Sequence, residues 1–291
     1  METARYRAFI QAAEKGSLSQ AAKDLSYTPS GVSQLIKALE RDLGFPVLER
    51  TQHGVSPTPE GMRILPVVRA VVNEEDRLNQ MTAEIKGLSV GSVTIGSYPS
   101  VATHWLPSVI KKFHEHYPAI EIRVMEGIHQ EINDWLRSRE VDMGFMSYEE
   151  SMPYDWIPLA EDPMIAVLPT DHPLATAEGY PVARCSDESF IMPGKGQDVD
   201  TVNLLKRHDL HPTIAYETIE TAATLGMIEA GMGMTIMNSM AAFKYDFDLA
   251  KIPVVPAEAI ALGIAVPSRE NCAPALRHFI EYAVDELTRH T

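Results

Sequence analysis

Residues 17–40 read SLSQAAKDLSYTPSGVSQLIKALE, and their spacing describes two short amphipathic helices joined by a tight polar turn. Ser17 precedes Gln20 by three positions, a capping-box spacing that satisfies the unpaired amides at a helix start. The helix so opened places Leu18, Ala21, Ala22 and Leu25 on one face. Thr28-Pro29 starts the second helix, with a hydroxyl for the cap and a proline where no amide is needed. That helix buries Val32, Ile36 and Leu39 and turns Ser30, Ser33, Gln34 and Lys37 outward. The two small alanines let the helices approach closely, and the polar face of the second is of a size to enter a major groove. The pattern predicts a helix-turn-helix that binds DNA.

The flanks fit that unit. Residues 3–15 predict a preceding helix that offers Tyr6, Phe9, Ile10 and Ala13 to the same core and stops at Gly16. After Leu43, Gly44 and Pro46 predict a helix stop. Two strand-like pieces, Pro46–Glu49 and Val55–Pro57, flank the turn Gln52-His53-Gly54, which makes the unit a winged helix.

The runs FIQAAEKGSLSQAAKDL, VSQLIKALERDLGFPVLER and TPEG, between Phe9 and Gly61, resemble the N-terminal domain of the LysR-type transcriptional regulators. The resemblance implies that Thr28, Ser30, Ser33, Gln34 and Lys37 meet DNA in the major groove. It places Ser17 and Gln20 near phosphate, and Gln52 and His53 at the wing tip beside the minor groove. The family often carries glutamine at the position of Pro29, arginine at that of Gln34 and a basic residue at that of His53, so these positions are not assigned particular bases.

Charge is unevenly distributed. Through Gly87 there are 11 Lys and Arg against 11 Asp and Glu, and the rest of the chain supplies the whole net charge of −15. Positive charge at the DNA surface is therefore local, with Lys23, Lys37, Arg50 and Arg63 flanking the groove-facing side. Few phosphate contacts predict weak nonspecific affinity and reliance on more than one copy of the unit. The acidic remainder argues against a membrane surface or RNA as partner.

From Thr58 to about Lys86 no strong terminator follows Thr58-Pro59, and apolar residues recur by sevens at Ile64, Val71, Leu78 and Ile85. Val67 and Met81 fill the other seam positions, Glu74 interrupts the seam, and Pro66 removes one backbone bond. A long helix with so narrow a stripe calls for a partner helix. In the resembling family this is the dimerising linker helix, and the assembly it implies is a homodimer further paired into a dimer of dimers.

Beyond the hinge at Gly87–Gly91 the pattern alternates strand and helix: SVTIGSY (92–98), a helix over 105–118, IEIRVMEG (120–127), a helix over 129–138 and VDMGFMS (141–147). It resumes at MIAVLP (164–169), SFIMPG (189–194), a helix near 199–208, TIAYET (213–218), a helix over 220–230 and GMTIMN (233–238). Such alternation predicts a mainly parallel sheet covered on both faces. The resemblance adds two Rossmann-like lobes joined by crossing strands near Asp162–Met164 and Ala265–Ser268, with a last helix near 273–289 returning to the first lobe. The expected fold is thus α+β and multidomain: a winged helix-turn-helix (1–58), a linker helix (59–88), and a two-lobed, periplasmic-binding-protein-like effector domain. Its lobe I takes 89–163 with 267–291, and its lobe II takes 164–266.

In open sheets small molecules bind beyond the carboxyl ends of the strands, where helix N-termini offer free amides. That rule selects Tyr98, Ser100 and Val101 after the first strand, Gly127 and Ile128 after the second, and Ser147 and Tyr148 after the third. In the second lobe it selects Pro193, Gly194 and Lys195, and Thr218. By resemblance the effector pockets of the family use the equivalents of Tyr98, Ser100, Ser147 and Thr218 most often. Tyr98 with several hydroxyls suggests a small polar or aromatic acid as ligand.

Other constellations carry less. His114 and His116 point to different helix faces, His208 and His211 lie in a loop, and neither pair predicts a metal site. Cys185 and Cys272 are expected as free thiols of a reducing compartment. Gly231-Met232-Gly233 ends a helix rather than opening one, so it is no phosphate loop. The methionines clustered at 227–240 predict a core or lobe interface. No cofactor is expected. There is no apolar run long enough to span a membrane and no export signal, so a cytoplasmic protein without a membrane partner is expected. The alternatives are an enzyme carrying an N-terminal DNA-binding domain and a solute-binding module without turnover. Against an enzyme, the chain shows no cofactor-anchoring lysine and no acidic pair beside a nucleophile.

Overall fold

The computed structural model describes residues 3–52, 54–243 and 245–288. The chain forms two compact units, residues 1–91 with 137–140, and residues 92–136 with 141–291.

In the first unit, α1 (Thr3–Lys15), α2 (Leu18–Asp24) and α3 (Pro29–Leu43) precede a hairpin of β1 (Leu48–Thr51) and β2 (Gly54–Pro57) and the long α4 (Pro59–Ile85). Capping chemistry sets the boundaries. Ser17 Oγ accepts from Gln20 N at 3.4 Å and Thr28 Oγ1 from Gly31 N at 3.1 Å, while Gly44, at φ 82°, closes α3 in the left-handed conformation that a Cβ disfavours. Ala8, Phe9, Ala21, Ala22, Val32, Ile36 and Leu39 form one buried cluster with Leu65, Val68 and Val72 of α4. Each large apolar side chain so buried contributes about 1.5–3 kcal/mol.

The hairpin begins two residues later than the pattern suggested. Glu40 Oε1 accepts from Val47 N at 2.9 Å and from Leu48 N at 3.4 Å, so the carboxylate satisfies the amide that would open an earlier ladder. Thr58 caps α4 through Gly61 N (2.9 Å) and donates its hydroxyl to Pro46 O (2.8 Å), joining helix and hairpin. Helix α4 runs unbroken through Pro66. Arg7 of α1 pairs with Glu75 (3.0 Å) and Asp76 (2.5 Å) of α4, and Thr3 Oγ1 donates to Glu75 at 2.6 Å. These partners raise the Arg7 pKa, Asp76 foremost. One face of α4 is thereby held against α1.

The second unit runs β3 (Gly91–Ser97), α5 (Pro99–His104), α6 (Leu106–His116), β4 (Ile120–Glu126), α7 (His129–Arg137), β5 (Met143–Ser147) and the long β6 (Asp155–Pro169). There follow β7 (Tyr180–Pro181), β8 (Ser189–Met192), α8 (Val199–Arg207), β9 (Thr213–Glu217), α9 (Thr221–Glu229), β10 (Thr235–Asn238) and α10 (Ser239–Phe243). The chain closes with β11 (Leu249–Val255), β12 (Ala259–Val266) and α11 (Pro274–Thr288).

The main sheet has the order β4-β3-β5-β12-β6-β11-β7, with β10 also on β6. Strand β6 serves both lobes. Residues 155–163 pair with β12, whereas from Met164 onward its partners are β10 and β11. Both crossing strands run antiparallel to their neighbours, so the sheet is mixed, not mainly parallel. Only local ladders such as β3 with β5 and β8 with β9 are parallel. The return crossing also differs from expectation. Strand β12 pairs along its length with β5 and the first half of β6, so the second lobe ends near Glu258 and not at 266. Gly233 is required by close approach: at φ +157° a Cβ there would lie 2.4 Å from Ser189 O, where the chain bonds across from Met234 to Ser189 and Ile191.

Asp162 stands at the first crossing, 3% exposed. It accepts from Asn238 Nδ2 (2.6 Å), Ser239 Oγ (2.5 Å) and Met240 N (3.2 Å), so one carboxylate holds the start of α10 against β6. Asp162→Ala leaves these donors unpaired and is expected to cost about 2 kcal/mol, read by chemical denaturation. An unchanged midpoint would assign Asp162 no anchoring role. Among the described residues no helix is long and apolar enough to cross a membrane.

Candidate nucleic-acid interface and ligand cleft

The exposed face of α3 carries Ser30, Gln34 and Lys37, with Thr28 exposed at its start. The Thr28 hydroxyl is engaged as the helix cap and lies 3.1 Å from Ser30 Oγ. Ser33 is half-buried and faces a hollow of about 120 Å³ between α3 and the hairpin, beside Lys37, Leu48 and Arg50. Ser17 is half-buried at the start of α2, and Gln20, Arg50 and Gln52 are exposed. His53 lies outside the described residues. Arg5, Arg7, Lys15 and Arg69 are tied to carboxylates of the same unit, whereas Lys23, Lys37, Arg41, Arg50 and Arg63 are exposed and make no ion pair among the described residues. Along α4, Val67, Val71, Leu78, Met81 and Ile85 are exposed, Leu78 at 63%, while Leu65, Val68 and Val72 face the core. Ile64 packs partly against that core, so the exposed stripe starts at Val67.

A cleft of the second unit encloses about 370 Å³ between the carboxyl ends of β3 and β4 on one side and the starts of α8 and α9 on the other. Of the residues selected from sequence, Tyr98, Ser100, Gly127, Ile128, Pro193 and Gly194 line it. Val101 does not: it is fully buried in the core, on the inner face of α5. Ser147 sits behind Tyr98, 1% exposed. Thr218 is buried and its hydroxyl lies 2.5 Å from that of Thr224, so it serves local packing. The Lys195 side chain lies outside the described residues.

The Tyr98 hydroxyl is 2.9 Å from Ser147 Oγ and 3.0 Å from His129 Nδ1, and His129 Nε2 is 3.3 Å from Glu149 Oε2. Burial pushes the Tyr98 hydroxyl well above its ordinary pKa, with the charge of Asp200 adding to it. Burial also lowers the His129 pKa, against the pull of Glu149. The wall opposite carries Asp198 and Asp200 at the start of α8. Burial, then the charge of Asp198, pushes the Asp200 carboxyl up to about 7, although it bonds to Ser147 and Tyr98. Sequence reasoning passed over Glu126, His129, Glu131, Asp198, Asp200 and Glu220, all of which line the cleft. Carboxylates at helix starts look like ordinary first-turn residues, so spacing alone could not separate them from caps. The expected acidic ligand meets no Lys or Arg among the described lining residues.

The remaining histidines and thiols have local roles. His114 bonds the Ile120 carbonyl, His116 the Lys112 carbonyl, and His208 pairs with Glu258. Neither Cys185 nor Cys272 forms a disulfide among the described residues, and burial pushes the Cys185 thiol up to about 11, far from a reactive thiolate.

Comparison with known proteins gives two family matches. Residues 3–62 match the bacterial regulatory helix-turn-helix protein, lysR family, and residues 86–288 match the LysR substrate binding domain. The chain is 29% identical over 289 residues to the uncharacterized HTH-type transcriptional regulator YvbU of Bacillus subtilis, covering 97% of this chain and 98% of that one. A full-length OxyR variant from Pseudomonas aeruginosa shares the fold at a TM-score of 0.78 and 21% identity, covering 99% of this chain and 94% of that one. The effector binding domain of QuiR in complex with shikimate superposes at a TM-score of 0.62 and 20% identity, over 69% of this chain and 99% of that one.

Proposed function

Because the chain belongs to the LysR family of bacterial transcriptional regulators, we propose that paired α3 helices read two half-sites of a promoter and that a ligand between the C-terminal lobes alters how they do so. The carrying observation is the exposed polar face of a doubly capped helix, Ser30, Gln34 and Lys37. In this reading Gln34 and Ser30 reach base edges and Lys37 reaches base or phosphate. Ser17, Gln20, Arg50 and Gln52 set the register on the backbone, and Ser33 contributes where the hairpin meets α3. Thr28 acts as cap first and DNA contact second.

The apolar stripe from Val67 to Ile85 supports a homodimer through α4, which spaces two reading helices, and the dimers pair again on longer operators. The protein works in the cytoplasm, where promoter DNA is. The cleft acts as a sensor, taking up its ligand saturably and without turnover. A ligand that binds one arrangement of the lobes more tightly shifts the population toward it, and the coupling free energy appears in operator affinity or footprint.

Gln34→Ala is expected to weaken specific operator binding by about 1–3 kcal/mol and to relax discrimination at one position. Lys37→Ala is expected to lower the slope of log K against log salt by about 1. Fluorescence anisotropy on operator and scrambled duplexes checks both. Equal losses on the two duplexes for Gln34→Ala would reduce that residue to a positioning contact.

A further inference from the structure

Family membership places an effector in the cleft, and the lining of the cleft bears on what that effector is. Four structural elements present carboxylates to the same space: Glu126 from the end of β4, Glu131 from α7, Asp198 and Asp200 from α8, and Glu220 from the start of α9. No described lysine or arginine faces them. An anionic ligand in such a cleft would use the free amides of helix N-termini. At two of these helix starts an amide already has a carboxylate partner: Asp198 Oδ1 accepts from Thr201 N at 3.0 Å at α8, and Glu131 Oε2 accepts from Ile128 N at 3.0 Å at α7, whereas α5 and α9 carry no side-chain cap. An incoming carboxylate would displace an internal bond at α7 or α8, and at any of these helix starts it would sit among like charges. Between the acidic groups the walls are apolar, formed by Ile128, Val199, Ile219 and Ala241, a setting for a short hydrocarbon stem.

We propose that the effector is a small organic cation, an aliphatic amine or guanidine whose charged end is held by the carboxylates of α8 and α9 and whose stem lies along Ile128 and Val199. The inference rests on the regulator reading above for the place of the ligand, and on the lining alone for its chemistry. The volume suits a short aliphatic diamine or triamine rather than a peptide.

The test is calorimetric titration of the full-length protein with 1,4-diaminobutane, agmatine and spermidine, against 1,4-butanediol, succinate and benzoate. At least one amine or guanidine is expected to bind saturably, with the diol weaker by about tenfold or more, as the loss of a charge-assisted contact demands. Asp198→Asn retains a capping side chain for α8 and should weaken that binding by about tenfold, whereas Glu115→Gln, on α6 and outside the cleft lining, should leave it unchanged. Tight binding of a carboxylate in preference to the amines overturns the proposal, as does failure of all three cations or indifference to Asp198→Asn. Footprinting separates the two readings. A carboxylate that alone alters the operator footprint sinks the cationic effector and leaves the regulator intact. An amine that binds through Asp198 yet never alters the footprint sinks the effector role and leaves the binding chemistry standing.

Discussion

Leu78→Asp should yield monomers in sedimentation and weaken binding to an operator with two half-sites by about 100-fold or more. Leu78 is 63% exposed in the isolated chain, in line with Val71 and Ile85 on the face of α4 that does not pack on the three-helix core. A face of this kind closes when a second copy buries it. Two linked reading units gain from effective concentration, and that gain, typically 10²–10⁴ in affinity, is what a charge in the seam removes. The single half-site should lose almost nothing, because Leu78 lies outside the cluster that holds α3 in place. A variant that remains dimeric, or a monomer that binds the full operator as the parent does, would refute the seam.

Asp200→Asn should stabilise the unliganded protein, and increasingly so as pH rises. Burial pushes the Asp200 carboxyl up to about 7 in the folded chain, against an ordinary 3.8. A carboxyl raised in this way contributes most when both states are protonated, below about pH 4. Above that the unfolded chain gives up its proton first, and stability is lost until the folded carboxyl also ionises near 7. Asparagine does not titrate, so its advantage over aspartate should grow by about 2–3 kcal/mol between pH 5 and pH 8. The groups facing Asp200 are the like charges Asp198 and Asp162, with the hydroxyls of Tyr98 and Ser147 as bonding partners. Denaturant unfolding at the two pH values checks the sign. A constant difference between variant and parent would mean that the carboxyl ionises as it does in water.

The reading unit was largely legible from the chain because its boundaries are local chemistry. Ser17, Thr28, Pro29 and Gly44 start and stop α2 and α3 through bonds within a few residues. The hairpin slipped by two residues because the deciding bond comes from Glu40, seven positions before Val47. In the second unit the buried runs announced themselves, but DWIPLAEDP, the first half of β6, did not. It is interrupted by prolines and buries only Ile157, Leu159 and Asp162. Antiparallel pairing of β12 with β6 joins segments about a hundred residues apart, and no periodicity within either segment encodes it. Tyr98, Ser100, Ile128 and Pro193, chosen because they follow strand ends, come together on the lining of one cleft. The acidic part of its lining was passed over because hydroxyls near a strand end attract notice, while Glu131, Asp198 and Glu220 pass for helix-starting residues. Val101 shows the converse error: one position beyond Ser100 on a helix turns a side chain from the opening into the core.

The clasp of Thr3 and Arg7 on Glu75 and Asp76 bears on how a signal would travel. Because α1 is fastened to α4 midway along a 27-residue helix, the reading head has no independent joint at its base. A helix of that length is a lever arm of about 40 Å, so tilting one end by about 10° swings the other through roughly 7 Å, the rise of about two base pairs along duplex DNA. Small angular differences at the far end would then be felt as a change of step along the groove, with no residue of α3 altering its own conformation.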